Sequence, residues 1–138
     1  MSNAKSIFLA ISSLVAGSLI YLLFRQDIIA FYWIGKPQWL ESFRITICNK
    51  GNNFLTYCLL YCVSDALWFF SLLILQFQFY DKNIIFCKIL LYLTIALPFL
   101  LEILQYFKII GGTFDILDIL FYFIALLLVL IIKKNEKR

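Results

Sequence analysis

Residues 84–107 read IIFCKILLYLTIALPFLLEILQYF, with Lys88 as the one basic and Glu102 as the one acidic side chain. A helix rises about 1.5 Å per residue, so crossing a hydrocarbon core about 30 Å thick takes roughly 20 predominantly apolar residues. The stretch therefore predicts a transmembrane helix. Working outward from it, comparable runs lie at 6–24, 58–80 and 114–132. Asp81-Lys82-Asn83 separates the second run from the third, and Lys108 to Thr113 separates the third from the fourth. Connections this short make consecutive helices antiparallel neighbours. Gly111-Gly112 fits a helix stop and turn, and Thr113 fits the N-cap of the last helix. The expected fold is an all-α integral membrane protein, a four-transmembrane-helix bundle forming a single membrane domain over 1–138.

Composition agrees, with 64% of the 138 residues hydrophobic and only 14% charged, outside the range of a soluble domain. Four spans leave no room for a separate soluble domain. The net charge of +4 does not indicate a nucleic-acid partner, because Lys133, Lys134, Lys137 and Arg138 crowd the last six positions. Positive charge so placed is a topology determinant and a contact for anionic headgroups. Membrane lipid is the expected partner.

The first run, closed by Arg25, is expected to be a retained span and not a cleaved signal, since Ala16-Gly17-Ser18 is followed by six further apolar residues. Residues 25–53 mix charge with aromatics, as in Phe31-Tyr32-Trp33 and Lys36-Pro37-Gln38-Trp39. Tryptophan and tyrosine favour the headgroup level, so this segment reads as an interfacial loop or short interfacial helix. With four spans both termini share one side. Lys5 and the basic tail place that side in the cytoplasm, although Arg25, Lys36, Arg44 and Lys50 load the opposite loop.

Asp65, Glu102, Asp115 and Asp118 fall inside or at the mouths of the apolar runs. A carboxylate there is costly and is read first as functional. Counted from the cytoplasmic ends, the helical rise puts Asp65 at ~22 Å, Glu102 at ~27 Å and Asp118 at ~21 Å across the membrane. Glu102 and Gln105 are three residues apart, as are Asp115 and Asp118, so each pair shares a helix face. Such polar stripes are cheapest against each other or lining a wet cleft. Pro98, one turn before Glu102, cannot bond back to the Thr94 carbonyl, and a kink is expected there. Other roles stay open: Asp115 favouring the positive end of a helix dipole, Glu102 and Gln105 as interhelical glue, and a neutral Asp65 bonded to a carbonyl.

The chain has no histidine, and Cys48, Cys58, Cys62 and Cys87 form no CxxC pair, so neither a metal site nor a cofactor is expected. Cys58 and Cys62 share a face and read as small hydrophobes. Ser64 and Ser71 have no base placed beside them by spacing, which favours binding over catalysis. Carboxylates alone could act as acid and base or hold a hard cation. Arg25, Arg44, Lys50 and Lys108 would supply counter-charge to an anionic headgroup.

Glu102-Ile-Leu-Gln105, the glycine turn and Thr113-Phe114-Asp115-Ile-Leu-Asp118 together resemble the signature of the VanZ-like membrane proteins, with E-x-x-Q, a short loop and a D-x-x-D helix. Asp65-Ala66-Leu67-Trp68-Phe69-Phe70-Ser71 resembles a D-G-L-W-x-x-S stretch in some members, which adds Trp68 to the site residues. Where the family commonly carries an arginine before the first aspartate this chain has Gly112 and Thr113, with Lys108 the nearest substitute, and the family's asparagine is Tyr122. The resemblance implies a cell-envelope role, in a family linked to glycopeptide antibiotic resistance. The combined expectation is an outward acidic cleft of Asp65, Trp68, Glu102, Gln105, Asp115 and Asp118 that binds a lipid headgroup, cation or glycopeptide-related ligand. The alternatives are a structural or assembly subunit of a larger membrane complex, alone or as a homo-oligomer, and an enzyme acting on lipid phosphate or a lipid-linked sugar.

Overall fold

The computed structural model describes residues 3–24, 35, 38, 39, 42, 61–80, 84–111 and 113–136. Its four long helices are α1 (Asn3–Phe24), α2 (Val63–Tyr80), α3 (Ile85–Tyr106) and α4 (Ile116–Glu136). All four are long and apolar enough to cross a membrane. The chain is a four-helix, multi-pass membrane protein. Each helix lies within a few residues of the expected span; α4 continues to Glu136 and so carries Lys133 and Lys134 in its last turn, favourably placed for the helix dipole. The expected interfacial segment 25–53 lies outside the described residues except for Gly35, Gln38, Trp39 and Ser42. Of these, Ser42 Oγ donates to the Gln38 carbonyl at 3.1 Å, and Trp39 is exposed. Arg25, Lys36, Arg44, Lys50, Cys48 and Cys58 also lie outside.

The bundle is organised around α2. It buries seven residues, against three in α3 and two in α4, and α1, α3 and α4 each pack on it. Without water to drive association, helices in a bilayer gain most from close packing through small side chains. The α1 face toward α2 shows this: Ser6, Ala10, Ser13 and Gly17, spaced four, three and four apart, are all buried. Ser71 Oγ donates to the Ala10 carbonyl at 2.7 Å, and Trp68 Nε1 donates to Ser18 Oγ at 3.2 Å. On the other side of α2, the rings of Phe69, Phe99 and Tyr122 meet edge to face with centroids 5.5 to 6.5 Å apart, joining α2, α3 and α4. At the terminal end Ser6 Oγ donates to Glu136 Oε1 at 2.9 Å, while Lys133 Nζ pairs with Glu136 Oε2 at 2.7 Å. The start of α1 and the end of α4 thus share one end of the bundle.

The residues that close α3 and cap α4 differ from the sequence expectation. Helix α3 stops at Tyr106, ahead of the Gly111-Gly112 pair. Lys108 takes the left-handed conformation (φ 55°), its N–H bonding the Gln105 carbonyl and that of Ile109 bonding the Leu104 carbonyl, both at 2.9 Å. This is a Schellman closure with lysine where glycine is usual. It satisfies the last carbonyls of the helix before the chain leaves it. The N-cap of α4 is Asp115, not Thr113: Asp115 Oδ1 accepts the Leu117 N–H at 2.8 Å.

A Cβ on Gly17 would lie 2.9 Å from the Ser64 carbonyl oxygen and 2.8 Å from Trp68 Cδ1, so α1 and α2 could not keep their approach. Gly17→Ala is expected to destabilise the bundle by about 1–3 kcal/mol, read as an earlier midpoint in unfolding by SDS titration from mixed micelles. Gly111→Ala, where nothing lies within 4 Å of the added methyl, should leave the midpoint in place.

Candidate functional site

The start of α2, the end of α3 and the start of α4 meet at the end of the bundle opposite the termini, and there they enclose a cavity of about 830 Å³. Asp65 and Trp68 reach it from α2, Glu102 and Gln105 from α3, and Asp115 and Asp118 from the start of α4. All six residues singled out in the sequence border this one space. Trp68 stacks at a tilt on Tyr21 of α1, centroids 5.0 Å apart, so α1 contributes to the wall. The volume lies within the 300–1,000 Å³ usual for small-molecule sites.

Glu102 is 5% exposed, and its Oε2 accepts the Asp115 N–H at 3.1 Å. Because Asp115 in turn caps Leu117, two carboxylates in series receive N–H groups at the head of α4. Those are among the donors a helix start leaves without intrahelical partners. The first-turn role considered for Asp115 and the interhelical role considered for Glu102 are both realised in this one chain of bonds. Neither role removes the residues from the cavity wall. Ser64, fully buried, stands 3.3 Å from Asp65 Oδ1 and 3.0 Å from the Tyr61 carbonyl. Ser71 is committed to α1. Neither serine is among the described lining residues, where the hydroxyls belong to Thr94, Thr113 and three tyrosines.

Lys108 does not take the arginine's place. It is exposed in the α3–α4 connection and does not border the cavity, and the buried Glu102 meets a backbone N–H there. Among the described lining residues there are four carboxyl groups and no basic side chain.

The sequence reading passed over several wall residues. Tyr122, a wall residue, lies one turn after Asp118; buried Cys62, outside the described lining, lies one turn before Asp65, so helical spacing alone placed both on the acidic faces. Cys62 belongs to a π-helical turn at Tyr61–Cys62, and its Sγ and carboxylate oxygens of Asp115 and Asp118 all lie within 4.8 Å of one another. One thiolate and two carboxylates could close around a divalent cation at ordinary ligand distances of about 2.0–2.3 Å. At the inner end of the cavity Thr94 Oγ1 is bonded by Gln76 Nε2 at 2.6 Å, with Gln76 buried. Pro98 lies within the continuous α3 and also faces the space.

Comparison with known protein families, with curated proteins and with solved structures yields no match for this chain. The fold and the cavity therefore define its class by themselves: a four-span membrane protein with an acidic chamber at one end.

Removing the Glu102 acceptor should loosen the head of α4. Glu102→Ala is expected to cost about 1–3 kcal/mol, the penalty of a buried N–H left unpaired, and to speed amide hydrogen exchange at Asp115. Glu102→Gln keeps a carbonyl oxygen and should preserve most of that protection, as measured by exchange mass spectrometry in detergent.

Proposed function

We propose that this chain is a VanZ-like protein of the bacterial cytoplasmic membrane, with both termini cytoplasmic, and that its acidic chamber faces outward and binds a polar ligand. The ligand classes considered are a lipid headgroup, a cation or a glycopeptide-related compound. One observation carries the reading: carboxyl groups from three helices surround one cavity of about 830 Å³ with no basic side chain among the described lining residues. Carboxylates are expensive at membrane depth. A bundle stabilised by packing alone would do better with apolar residues there, so their convergence on open space favours a binding role. The orientation rests on Lys5, Lys133 and Lys134 at the opposite end, which positive charge retains in the cytoplasm.

The Glu102–Asp115 bond between α3 and the head of α4 also supports a second reading, in which polar stripes act as glue within a subunit of a larger complex. In that case co-purification of other membrane proteins after mild-detergent extraction is the expected result. A lone monomer or simple homodimer would count against it. An enzymatic reading would draw on carboxylate acid–base chemistry, with Thr94 and Thr113 as the non-aromatic hydroxyls among the described lining residues.

In a susceptible bacterium carrying the gene, Asp65→Asn, Glu102→Gln and Asp118→Asn are each expected to lower glycopeptide tolerance toward that of the strain without it, at unchanged membrane abundance. Full tolerance in all three variants would remove the chamber from that function.

A further inference from the structure

The cavity has a second polar end. Thr94 borders it eight residues along α3 from Glu102. At about 1.5 Å per residue, Thr94 lies roughly 12 Å farther into the bundle than Glu102, near the middle of α3. By their positions in α2 and α3, Phe69, Leu72, Leu97 and Leu101 line the wall between the two ends. Behind Thr94 stands Gln76 of α2, which is 9% exposed and donates from Nε2 to Thr94 Oγ1 at 2.6 Å. The other amide atom of Gln76, Oε1, is buried and meets no hydrogen-bond donor among the described residues.

Acceptors outnumber donors at this inner end. Gln76 brings a carbonyl oxygen that is unmet. Pro98, which also borders the cavity, has no N–H to return to the Thr94 carbonyl one turn back. The Thr94 hydroxyl supplies a single proton, and its oxygen already receives the Gln76 amide. Were the pair helix glue alone, an apolar side chain in place of Gln76 would be more stable, because an unmet acceptor at membrane depth is costly.

The missing group is a neutral donor. A full charge is disfavoured at mid-bilayer, and an anion would meet only further acceptors. A hydroxyl both donates and accepts, which matches an unmet oxygen beside the Thr94 hydroxyl.

We propose that the inner end of the cavity is a subsite for a neutral hydroxyl group, held by Thr94 with Gln76 behind it. A hydroxylated ligand reaching in from the acidic end and an ordered water carry this same chemistry. The inference rests on the ligand-binding reading above and names the group that the far end of the space takes. A ligand that fills both ends carries its hydroxyl about 12 Å from the group beside Glu102.

The test uses the full-length chain in phosphatidylcholine nanodiscs, with glutamine isotope-labelled at its side-chain nitrogen. The Gln76 signal is the one lost in Gln76→Leu. Its amide protons are expected to exchange in heavy water and to show a cross-peak to water in ordinary buffer. Octanediol with a hydroxyl at each end is then added as the probe. A saturable shift of the Gln76 signal is expected, absent with the dimethyl ether of the same diol, which has no donor. Thr94→Val removes the hydroxyl and keeps the shape, and should weaken the diol about three- to tenfold, as for one neutral hydrogen bond. Thr94→Ser keeps the hydroxyl and should retain the affinity. Each variant's fold is checked by its unfolding midpoint.

Exchange with water and no saturable shift would support the subsite and assign its hydroxyl to water. A Gln76 signal that neither exchanges nor shifts would overturn it, as would an ether that acts like the diol. The acidic end is tested separately. A dry Gln76 alongside lowered glycopeptide tolerance in the carboxylate variants removes the inner subsite and keeps the chamber. A hydrated Gln76 with full tolerance in all three variants does the reverse.

Discussion

The hydrogen bond from the Asp115 N–H to Glu102 Oε2 joins the end of α3 to the head of α4, and the geometry of the chamber follows from it. A carboxyl group within an apolar helix has few places to go, because lipid offers it neither a donor nor water. The start of a neighbouring helix supplies donors in need of an acceptor. Glu102 and Asp115 meet these two needs together, which holds α4 beside α3 at this end and turns the acidic side chains inward.

That arrangement works because α2 holds the other helices in place. Its face toward α1 accepts the small residues Ser6, Ala10, Ser13 and Gly17, which lets the two backbones come close enough for Ser71 to reach a carbonyl of α1. Its other side carries Phe69 into the ring cluster with Phe99 and Tyr122. Packing is thus tight on both sides of α2, while among the described residues the backbones of α1 and α3 do not approach within 8 Å. The chamber is what remains when one central helix serves three partners that do not all touch each other.

Charge and polarity then set what the chamber can hold. Four carboxyl groups gather at one end of it, while Leu72, Thr94 and Leu97 line it farther from that end. Buried Cys62 sets a softer donor within 4.8 Å of two of the carboxylates.

Four spans, their antiparallel order and the residues that become the acidic wall were legible in the sequence, because bilayer thickness demands long apolar runs and a charge that interrupts one stands out. Helical periodicity paired Glu102 with Gln105 and Asp115 with Asp118. It pointed as well to Cys62 and Tyr122, whose ordinary character as core-like residues hid them. The end of α3 was legible to within a residue, but its closure was not, since a lysine in the left-handed position leaves no compositional mark where glycine would have. What only the tertiary structure decided was where the helices part: that Glu102 is answered by a backbone N–H and not by a lysine, and that α1 and α3 stand apart. Those outcomes depend on distances between helices, which follow from side-chain volumes packed in three dimensions and which one chain's spacing does not encode.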